Sequence, residues 1–130
     1  MRIMGFDIAS YKTGWFILDV DKIKFKIDLI DVKGNLYERV RKIGYESKKL
    51  FKTYNPEIVL IEDTYLDQYR KHRRGTRKRG NINTLKTLEK CHGAVISNTN
   101  DYMDIYYINP SEHKKILTGI GNASKQSTIW

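Results

Sequence analysis

The sequence predicts an α/β fold in which a five-stranded mixed sheet is flanked by helices. Short apolar segments near the N-terminus are separated by turn residues, a long amphipathic segment follows them, and another apolar run comes directly after it. Strands joined by short turns pair antiparallel, whereas a helix between two strands makes the later one parallel to its neighbour. We therefore expect three antiparallel strands plus two parallel strands in a single domain of 130 residues.

The first three strands are predicted as an antiparallel meander. Apolar runs cover residues 1–6 and 15–18, with a turn at 9–14 between them. Over residues 23–29, Ile, Phe and Leu alternate with Lys and Asp. This period of two is typical of a strand with one solvated face.

Two longer helices and two more strands are expected after the meander. Apolar residues recur at intervals of three and four over residues 36–54, and the following Asn-Pro pair ends that helix. A strand is predicted at 58–62, and its continuous apolar run at 58–61 is typical of a central strand covered on both faces. A second helix is predicted at about 81–98, a fifth strand at 104–108, and short helices after an Asn-Pro pair at 109–110.

The composition excludes several classes of protein. No apolar run approaches the roughly 20 residues that cross a bilayer, and Asp7 interrupts the apolar start before any signal-peptide cleavage site. The single Cys91 excludes an internal disulfide and a cysteine-based zinc site. His92 and His113 show no metal-ligand spacing. We expect a cytoplasmic protein without membrane contacts.

The formal net charge of +9 is concentrated in one segment. Seven basic residues lie between positions 70 and 79 with no acidic residue among them, so the rest of the chain is nearly neutral. We expect this basic segment to be a loop, bounded by Gly75 and Gly80, that contacts nucleic-acid phosphates. A solvated loop that only aids solubility is the alternative. The seven residues are Arg70, Lys71, Arg73, Arg74, Arg77, Lys78 and Arg79.

Two carboxylates are predicted to meet at one edge of the sheet. Asp7 ends the first apolar run and Glu62 ends the central one. On neighbouring strands, about 4.8 Å apart, they would project side by side and repel each other unless a cation lay between them. Oxygen ligands favour Mg²⁺ or Mn²⁺. Taken alone, Asp7 could instead cap a turn amide, and Asp63 should face away from Glu62 because adjacent strand residues alternate.

The predicted order of elements is that of a ribonuclease H-like fold, and three segments resemble the RuvC family of Holliday junction resolvases, including its small phage-type members. They are residues 3–7 with Thr13 and Gly14, then Ile61 with Glu62, and then residues 118–125. No single segment is specific, but the three in this order and at these separations are. The resemblance spans nearly the whole chain.

The resemblance implies an endonuclease that cuts branched DNA, such as four-way junctions, with the help of a divalent metal ion. Asp7 and Glu62 match its metal ligands. Lys114 and Lys125, which lie before and after a Gly-Ile-Gly turn, match lysines that approach the scissile phosphate. They could also be ordinary surface charges, although a helix N-terminus beside them would itself attract anions. A phage-encoded resolvase would act in the host cytoplasm.

The resemblance also implies how DNA is recognised. Tyr65 matches an aromatic residue that wedges near the junction crossover, although it could simply pack on the sheet edge or stack on unpaired bases. The helix at about 81–98 matches the one through which the family forms homodimers. A homodimer would set two symmetric sites against the two-fold symmetry of a junction.

Two departures from the family pattern affect the expected site. The family's Asp-Pro-Gly turn becomes Asp7-Ile8-Ala9, so its shape should differ. The family also places two further acidic ligands on a terminal helix, and this sequence stops at Trp130 before such a helix. Either the sequence is a fragment that lacks the terminal helix, or it has lost half of its metal ligands, and the apolar end at Ile129 and Trp130 favours the fragment. We expect this form to bind metal weakly and to cut slowly or not at all.

Two other functions are compatible with the same residues. A non-catalytic module that binds branched DNA would bind junctions without needing metal or Asp7. An RNA-processing nuclease of the same fold would share the opening segment, although Glu62 at the end of an apolar strand favours the resolvase. An actin-like ATPase is disfavoured, because the turn after Asp7 lacks the glycine needed for close phosphate approach.

Overall fold

The structure is a computed structural model, and it describes residues 1–63 and 78–109. Within these residues the five strands form one sheet of order β3-β2-β1-β4-β5. The β1–β2 and β2–β3 pairs are antiparallel, whereas β1–β4 and β4–β5 are parallel. This confirms the predicted mixed sheet. The elements are β1 (Arg2–Asp7), β2 (Lys12–Asp19), β3 (Lys24–Asp31), α1 (Leu36–Tyr54), β4 (Ile58–Glu62), α2 (Lys78–Ile96) and β5 (Asp104–Ile108).

Local sequence determines both ends of α1. The side chain of Asn35 accepts a hydrogen bond from the backbone N–H of Glu38, which satisfies one of the free donors of the first turn. At the other end Asn55 adopts the left-handed conformation, and its N–H donates to the carbonyl of Phe51. Both ends of α1 lie where the sequence predicts them.

The second helix begins earlier than predicted. It starts at Lys78, so the last part of the expected basic loop, up to Gly80, is helical instead. Lys and Arg have high helix propensity, and extending an existing helix adds one hydrogen bond per residue, which offsets the cost of a glycine. The helix ends at Ile96, with a turn at 97–98.

Both helices cover one side of the sheet, which we name the closed face. Its core combines Met4, Phe6, Val59 and Ile61 of the sheet with Ile43 and Phe51 of α1 and with Cys91 and Val95 of α2. The rings of Phe6 and Phe51 meet edge to face, with 5.6 Å between their centroids. The Cβ and carbonyl oxygen of Ala94 in α2 lie 3.6 Å from the ideal Cβ position at Gly44, so the two helices pack in van der Waals contact there.

The other side of the sheet, the open face, carries apolar residues that remain exposed. In β3 these are Phe25, Ile27 and Leu29, which are 57–63% exposed. The alternating polar residues point to the side of α1, where the Lys26 ammonium lies 5.9 Å from the ring of Trp15. The period of two therefore predicted the strand correctly, but both of its faces contact solvent. No helix in the described ranges is both long and apolar enough to span a membrane.

Candidate functional site

The carboxylates of Asp7 and Glu62 lie at adjacent register positions of the two central parallel strands. The last backbone pair joins Phe6 to Ile61, and the next residue on each strand is the acidic one. Asp7 is exposed and Glu62 is half-buried. Because side chains alternate along a strand, both residues belong to the open face, opposite Phe6 and Ile61. The structure thus brings together the two residues that the sequence singled out.

Both strand ends are held on either side by the sheet. Asp7 is paired with Gly14 of β2, and Glu62 is paired with Ile108 of β5. Immediately beyond β4, the backbone N–H of Asp63 donates to the carbonyl of Ile108 at 2.8 Å. The backbone at the two carboxylates is therefore fixed by neighbouring strands rather than carried on a free loop.

The turn that follows Asp7 is closed by a buried threonine. The hydroxyl of Thr13 donates to the carbonyl of Ala9 at 2.9 Å and accepts from its N–H at 3.2 Å. These bonds join Thr13 to Ala9, the last residue of the Asp7-Ile8-Ala9 segment that departs from the Asp-Pro-Gly pattern. A side-chain clamp therefore shapes the turn where the family has proline and glycine.

Arg39 ties helix α1 to the same turn. Its Nε donates to the carbonyl of Ser10 at 3.1 Å, and its Nη1 donates to the carbonyl of Gly34 at 2.9 Å. The guanidinium carbon lies 4.0 Å from the ring centroid of Tyr11. The sequence analysis missed this residue. The sequence could have identified Arg39, because it lies four residues before the buried Ile43. That spacing places a charged side chain on the apolar face of α1.

His92 of α2 is a second residue that the sequence analysis missed. It is 2% exposed and stacks parallel on Tyr107, with ring centroids 6.0 Å apart and planes 6° from parallel. Its Nε2 is buried and has no hydrogen-bond partner among the described residues. Burial lowers the pKa of His92, and the negative charges of Glu89, Asp63 and Asp7 oppose that shift only in part.

The position of Tyr107 locates the His92 ring in the sheet. Tyr107 pairs with Ile61, which in turn pairs with Phe6. The imidazole therefore lies on the closed face, over the row of residues just before the carboxylates. Helical spacing could have identified His92 as buried, because it shares the buried face of α2 with Cys91 and Val95.

Several predicted site residues lie outside the described ranges. These are Tyr65, Arg70, Lys71, Arg73, Arg74, Arg77, Lys114 and Lys125. Lys78 and Arg79 belong to the first turn of α2. The described part of the site therefore consists of the two strand ends and the clamped turn after Asp7.

The chemistry of the described residues fits a hard cation. Across residues 1–63 and 78–109 there is no group of three or more His, Cys, Asp and Glu side chains arranged to hold a metal ion. Asp7 and Glu62 form a pair, and paired carboxylates suit Mg²⁺ or Mn²⁺, which keep water in their remaining positions. Cys91 is buried in the core, and burial raises the pKa of its thiol, so a thiolate ligand is disfavoured.

A sheet of three antiparallel and two parallel strands, with carboxylates at the ends of its central strands, defines the ribonuclease H-like class of protein. Within this class, a sequence model described as crossover junction endodeoxyribonuclease RuvC matches residues 3–129. The chain therefore belongs to the RuvC family, and membership makes it a nuclease. This confirms the family resemblance and the fold predicted from the sequence.

Individual relatives agree with this assignment. RuvC of Rickettsia prowazekii is 26% identical over an alignment of 136 positions, which covers 100% of this chain and 79% of the relative. RuvC of Prosthecochloris aestuarii is also 26% identical, over 100% of this chain and 66% of its own length.

Solved structures show the same fold. Thermus thermophilus RuvC superposes with a TM-score of 0.73 at 19% identity, over 98% of this chain and 75% of that one. The same protein in complex with a Holliday junction substrate gives a TM-score of 0.72 at 17% identity, over 91% of this chain and 70% of that one.

Proposed function

We propose that this chain is a structure-selective endonuclease that resolves Holliday junctions or other branched DNA by metal-dependent hydrolysis of phosphodiester bonds. Membership of the crossover junction endodeoxyribonuclease family supports the reaction class. The observation that carries the proposal is the register of β1 and β4, which sets Asp7 beside Glu62 at the ends of two parallel strands.

In the proposed mechanism, Asp7 and Glu62 bind Mg²⁺ or Mn²⁺ at the edge of the sheet. A divalent cation supplies charge stabilisation at the phosphate and activates water for attack. The contribution of the chain is to hold the two carboxylates at fixed spacing before the substrate arrives, since both strand ends are paired on either side. Such preorganisation reduces the cost of assembling the site during the reaction. Lys114 and Lys125 are proposed to contact the scissile phosphate.

We propose that the basic segment at 70–79 grips the DNA backbone while Tyr65 wedges near the crossover. Lys and Arg contacts to phosphates release counterions, so affinity should fall steeply as the salt concentration rises. Such contacts do not read sequence, and recognition should depend mainly on the shape of the branch.

A homodimer through α2 would set two such sites against one junction. Two features of the outer surface of α2 support this arrangement. Ile82 is half-exposed. Gly93 is exposed, and no atom of the described residues lies within 4 Å of its ideal Cβ position, which leaves room for a second helix. A two-fold dimer would match the two-fold symmetry of a four-way junction.

The proposal is tested with Asp7→Asn, using Asp31→Asn as the matched control. Asp31 also ends a strand and is exposed, but it lies at the far edge of the sheet. We expect the unaltered chain to cut a synthetic four-way junction only slowly in Mg²⁺, because just two carboxylates are paired in the described ranges. Asp7→Asn should reduce that cleavage by at least about a hundredfold, because a metal ion supplies several kcal/mol of charge stabilisation. The control should cut at the rate of the unaltered chain.

A direct measurement of Mn²⁺ binding, made without DNA, separates binding from chemistry. Asp7→Asn should weaken it and Asp31→Asn should not. Equal cleavage by the two variants would contradict the proposed site. A different outcome would identify a non-catalytic module: the unaltered chain binds the junction tightly without cutting it, and neither EDTA nor Asp7→Asn weakens the binding. The structure is compatible with such a module, because only two carboxylates are paired in the described ranges.

A further inference from the structure

The outer surface of α1 carries a concentration of positive charge that the candidate site does not use. Helix α1 contains six basic residues and two acidic ones. Arg39 is buried, whereas the other five basic residues are exposed, together with the ring of Tyr45. We name these six exposed residues the α1 ridge: Arg41, Lys42, Tyr45, Lys48, Lys49 and Lys52.

Helical geometry gathers the α1 ridge into one strip. At about 100° per residue, its six members fall within an arc of about 120°, on the side of α1 away from the buried Ile43 and Phe51. At about 1.5 Å per residue, the strip runs for about 16 Å along the helix axis. Glu38 lies in the first turn, before the strip begins, and Glu46 lies beside its arc. The strip is therefore continuously basic along its length.

Contacts within the helix hold two of the lysines in place. The Nζ atoms of Lys42 and Lys49 lie 3.3 Å and 3.6 Å from the carboxylate oxygens of Glu46. The same two Nζ atoms lie 5.4 Å and 5.3 Å from the ring centroid of Tyr45. A partner that binds here meets side chains that are already ordered, which reduces the entropy lost on binding.

The other three cations of the ridge are not neutralised by the fold. Within residues 1–63 and 78–109, Arg41, Lys48 and Lys52 form no ion pair. Lys48 and Lys52 are one turn apart, where like charges weaken a helix. The helix dipole favours a cation in the last turn, which accounts for Lys52 but for neither of the others. The stability of α1 therefore does not explain this charge.

We propose that the α1 ridge binds the phosphate backbone of duplex DNA. The argument is charge complementarity, since a duplex carries one negative charge per about 1.7 Å of its axis and the ridge runs beside it for several such intervals. Membership of a family of DNA endonucleases favours DNA over RNA. A membrane surface is disfavoured, because the ridge has no large aliphatic side chain to enter a bilayer. Contacts of this kind are independent of base sequence.

The α1 ridge and the candidate site lie on opposite sides of the sheet. Helix α1 packs on the closed face, whereas Asp7 and Glu62 belong to the open face. The DNA held by the ridge is therefore a different segment from the one at the carboxylates, such as a second arm of a branch. This inference goes beyond the proposed function and requires neither metal nor cleavage.

The double variant Lys48→Gln/Lys52→Gln tests the ridge, with Lys22→Gln/Lys24→Gln as the matched control. The control removes the same charge from exposed residues near the turn between β2 and β3. Binding of a linear duplex of about 20 base pairs is measured in EDTA over a range of salt concentrations. Loss of two phosphate contacts should weaken binding by about 10-fold or more at about 0.1 M salt. It should also reduce the slope of log K against log salt concentration by about two. Equal affinities and slopes in the two variants would overturn the inference.

Photocrosslinking provides a direct test of contact. Cys91 is the single cysteine of the chain and is buried, so Tyr45→Cys introduces one accessible thiol on the ridge. Lys24→Cys introduces one away from the ridge. With the same photoactivated reagent on each thiol, we expect the duplex to crosslink at position 45 and not at position 24. Equal yields from both positions, or none from position 45 with the duplex bound, would overturn the inference.

Other polyanions test the choice of partner. An RNA duplex of the same length and vesicles containing phosphatidylserine are measured with the same variants. If Lys48→Gln/Lys52→Gln weakens binding to either of them more than binding to DNA, the assignment to DNA is wrong.

The two proposals fail in different ways. If the ridge variant loses duplex affinity while Asp7→Asn cuts junctions as the unaltered chain does, the ridge stands and the nuclease site is wrong. If Asp7→Asn abolishes cleavage while the ridge variant binds duplex as its control does, the nuclease site stands and the ridge is wrong.

Discussion

The closed and open faces of the sheet both carry many apolar side chains, but among the described residues only those of the closed face form a core. Met4, Phe6 and Val59 on the closed face are at most 3% exposed, whereas Phe25 and Ile27 on the open face are 57% and 63% exposed. The strands have the same kind of sequence on both sides. What differs is the layer above them, since α1 and α2 both pack on the closed face.

This difference separates stability from function in the fold. An apolar side chain stabilises the folded chain in proportion to the area removed from water, so the closed face supplies most of the hydrophobic free energy of folding. Asp7 and Glu62 belong to the open face, where charge remains hydrated and accessible to a polyanion. The same two strands therefore provide the core on one side and the candidate site on the other.

The largest expected effect compares two phenylalanines. Phe51→Ala empties a position in the closed core and should lower the free energy of unfolding by about 3–5 kcal/mol. Phe25→Ala changes an exposed ring and should cost under about 0.5 kcal/mol. Urea unfolding of both variants checks this. Similar losses would show that the open face is buried in solution, which would remove the contrast between the faces.

An intermediate effect is expected at a glycine on the open face. The Phe16 ring lies over Gly5, and an ideal Cβ there would be 2.1 Å from its Cε1 atom. Gly5→Ala should therefore force the ring aside, at a cost of about 1–3 kcal/mol.

Gly93→Ala is the matched control for Gly5→Ala. Gly93 lies within α2, and its ideal Cβ position has no neighbour among residues 1–63 and 78–109. The substitution should raise the free energy of unfolding by about 0.5–1 kcal/mol, because alanine favours a helix. The same unfolding curves measure both variants. A neutral Gly5→Ala would mean that Phe16 does not pack against β1.

The smallest effect concerns pH. Burial holds the pKa of His92 below its ordinary value of 6.5, against the opposing charges of Glu89, Asp63 and Asp7. The unfolded chain therefore takes up a proton below about pH 6.5 that the folded chain does not, and stability falls as the pH falls. In His92→Phe, the free energy of unfolding should decrease less than in the unaltered chain as the pH falls from about 7.5 to 5.5. An unchanged slope would mean that His92 is solvated when folded.

Much of the fold could be predicted because local chemistry determines it. Asn35 and Asn55 cap α1 at the expected positions, and the bounds of β4 and β5 agree with the structure. The parallel pairing of β1 with β4 followed from the helix between them. The pairing of Asp7 with Glu62 followed from strand order, whereas their roles as ligands stay a prediction.

Other features depend on contacts between distant residues. The start of α2 at Lys78 was missed because a segment with many charges and glycines suggests a loop. Helix propagation and packing instead determine where the helix begins. Arg39 and His92 were missed because a polar residue on an apolar helix face has no evident partner in sequence. Only the fold brings Arg39 to the carbonyl of Ser10 and His92 to Tyr107.

The sequence by itself determined the order of elements, the strand ends at which the acidic residues lie, and the family. These properties depend on hydrophobic period, turn chemistry and short motifs, all of which are local. The tertiary structure alone decided which face of the sheet the helices cover and which distant groups meet Arg39 and His92. Alternation along a strand indicates which residues share a face. Only the packing of α1 and α2 determines which face is removed from water.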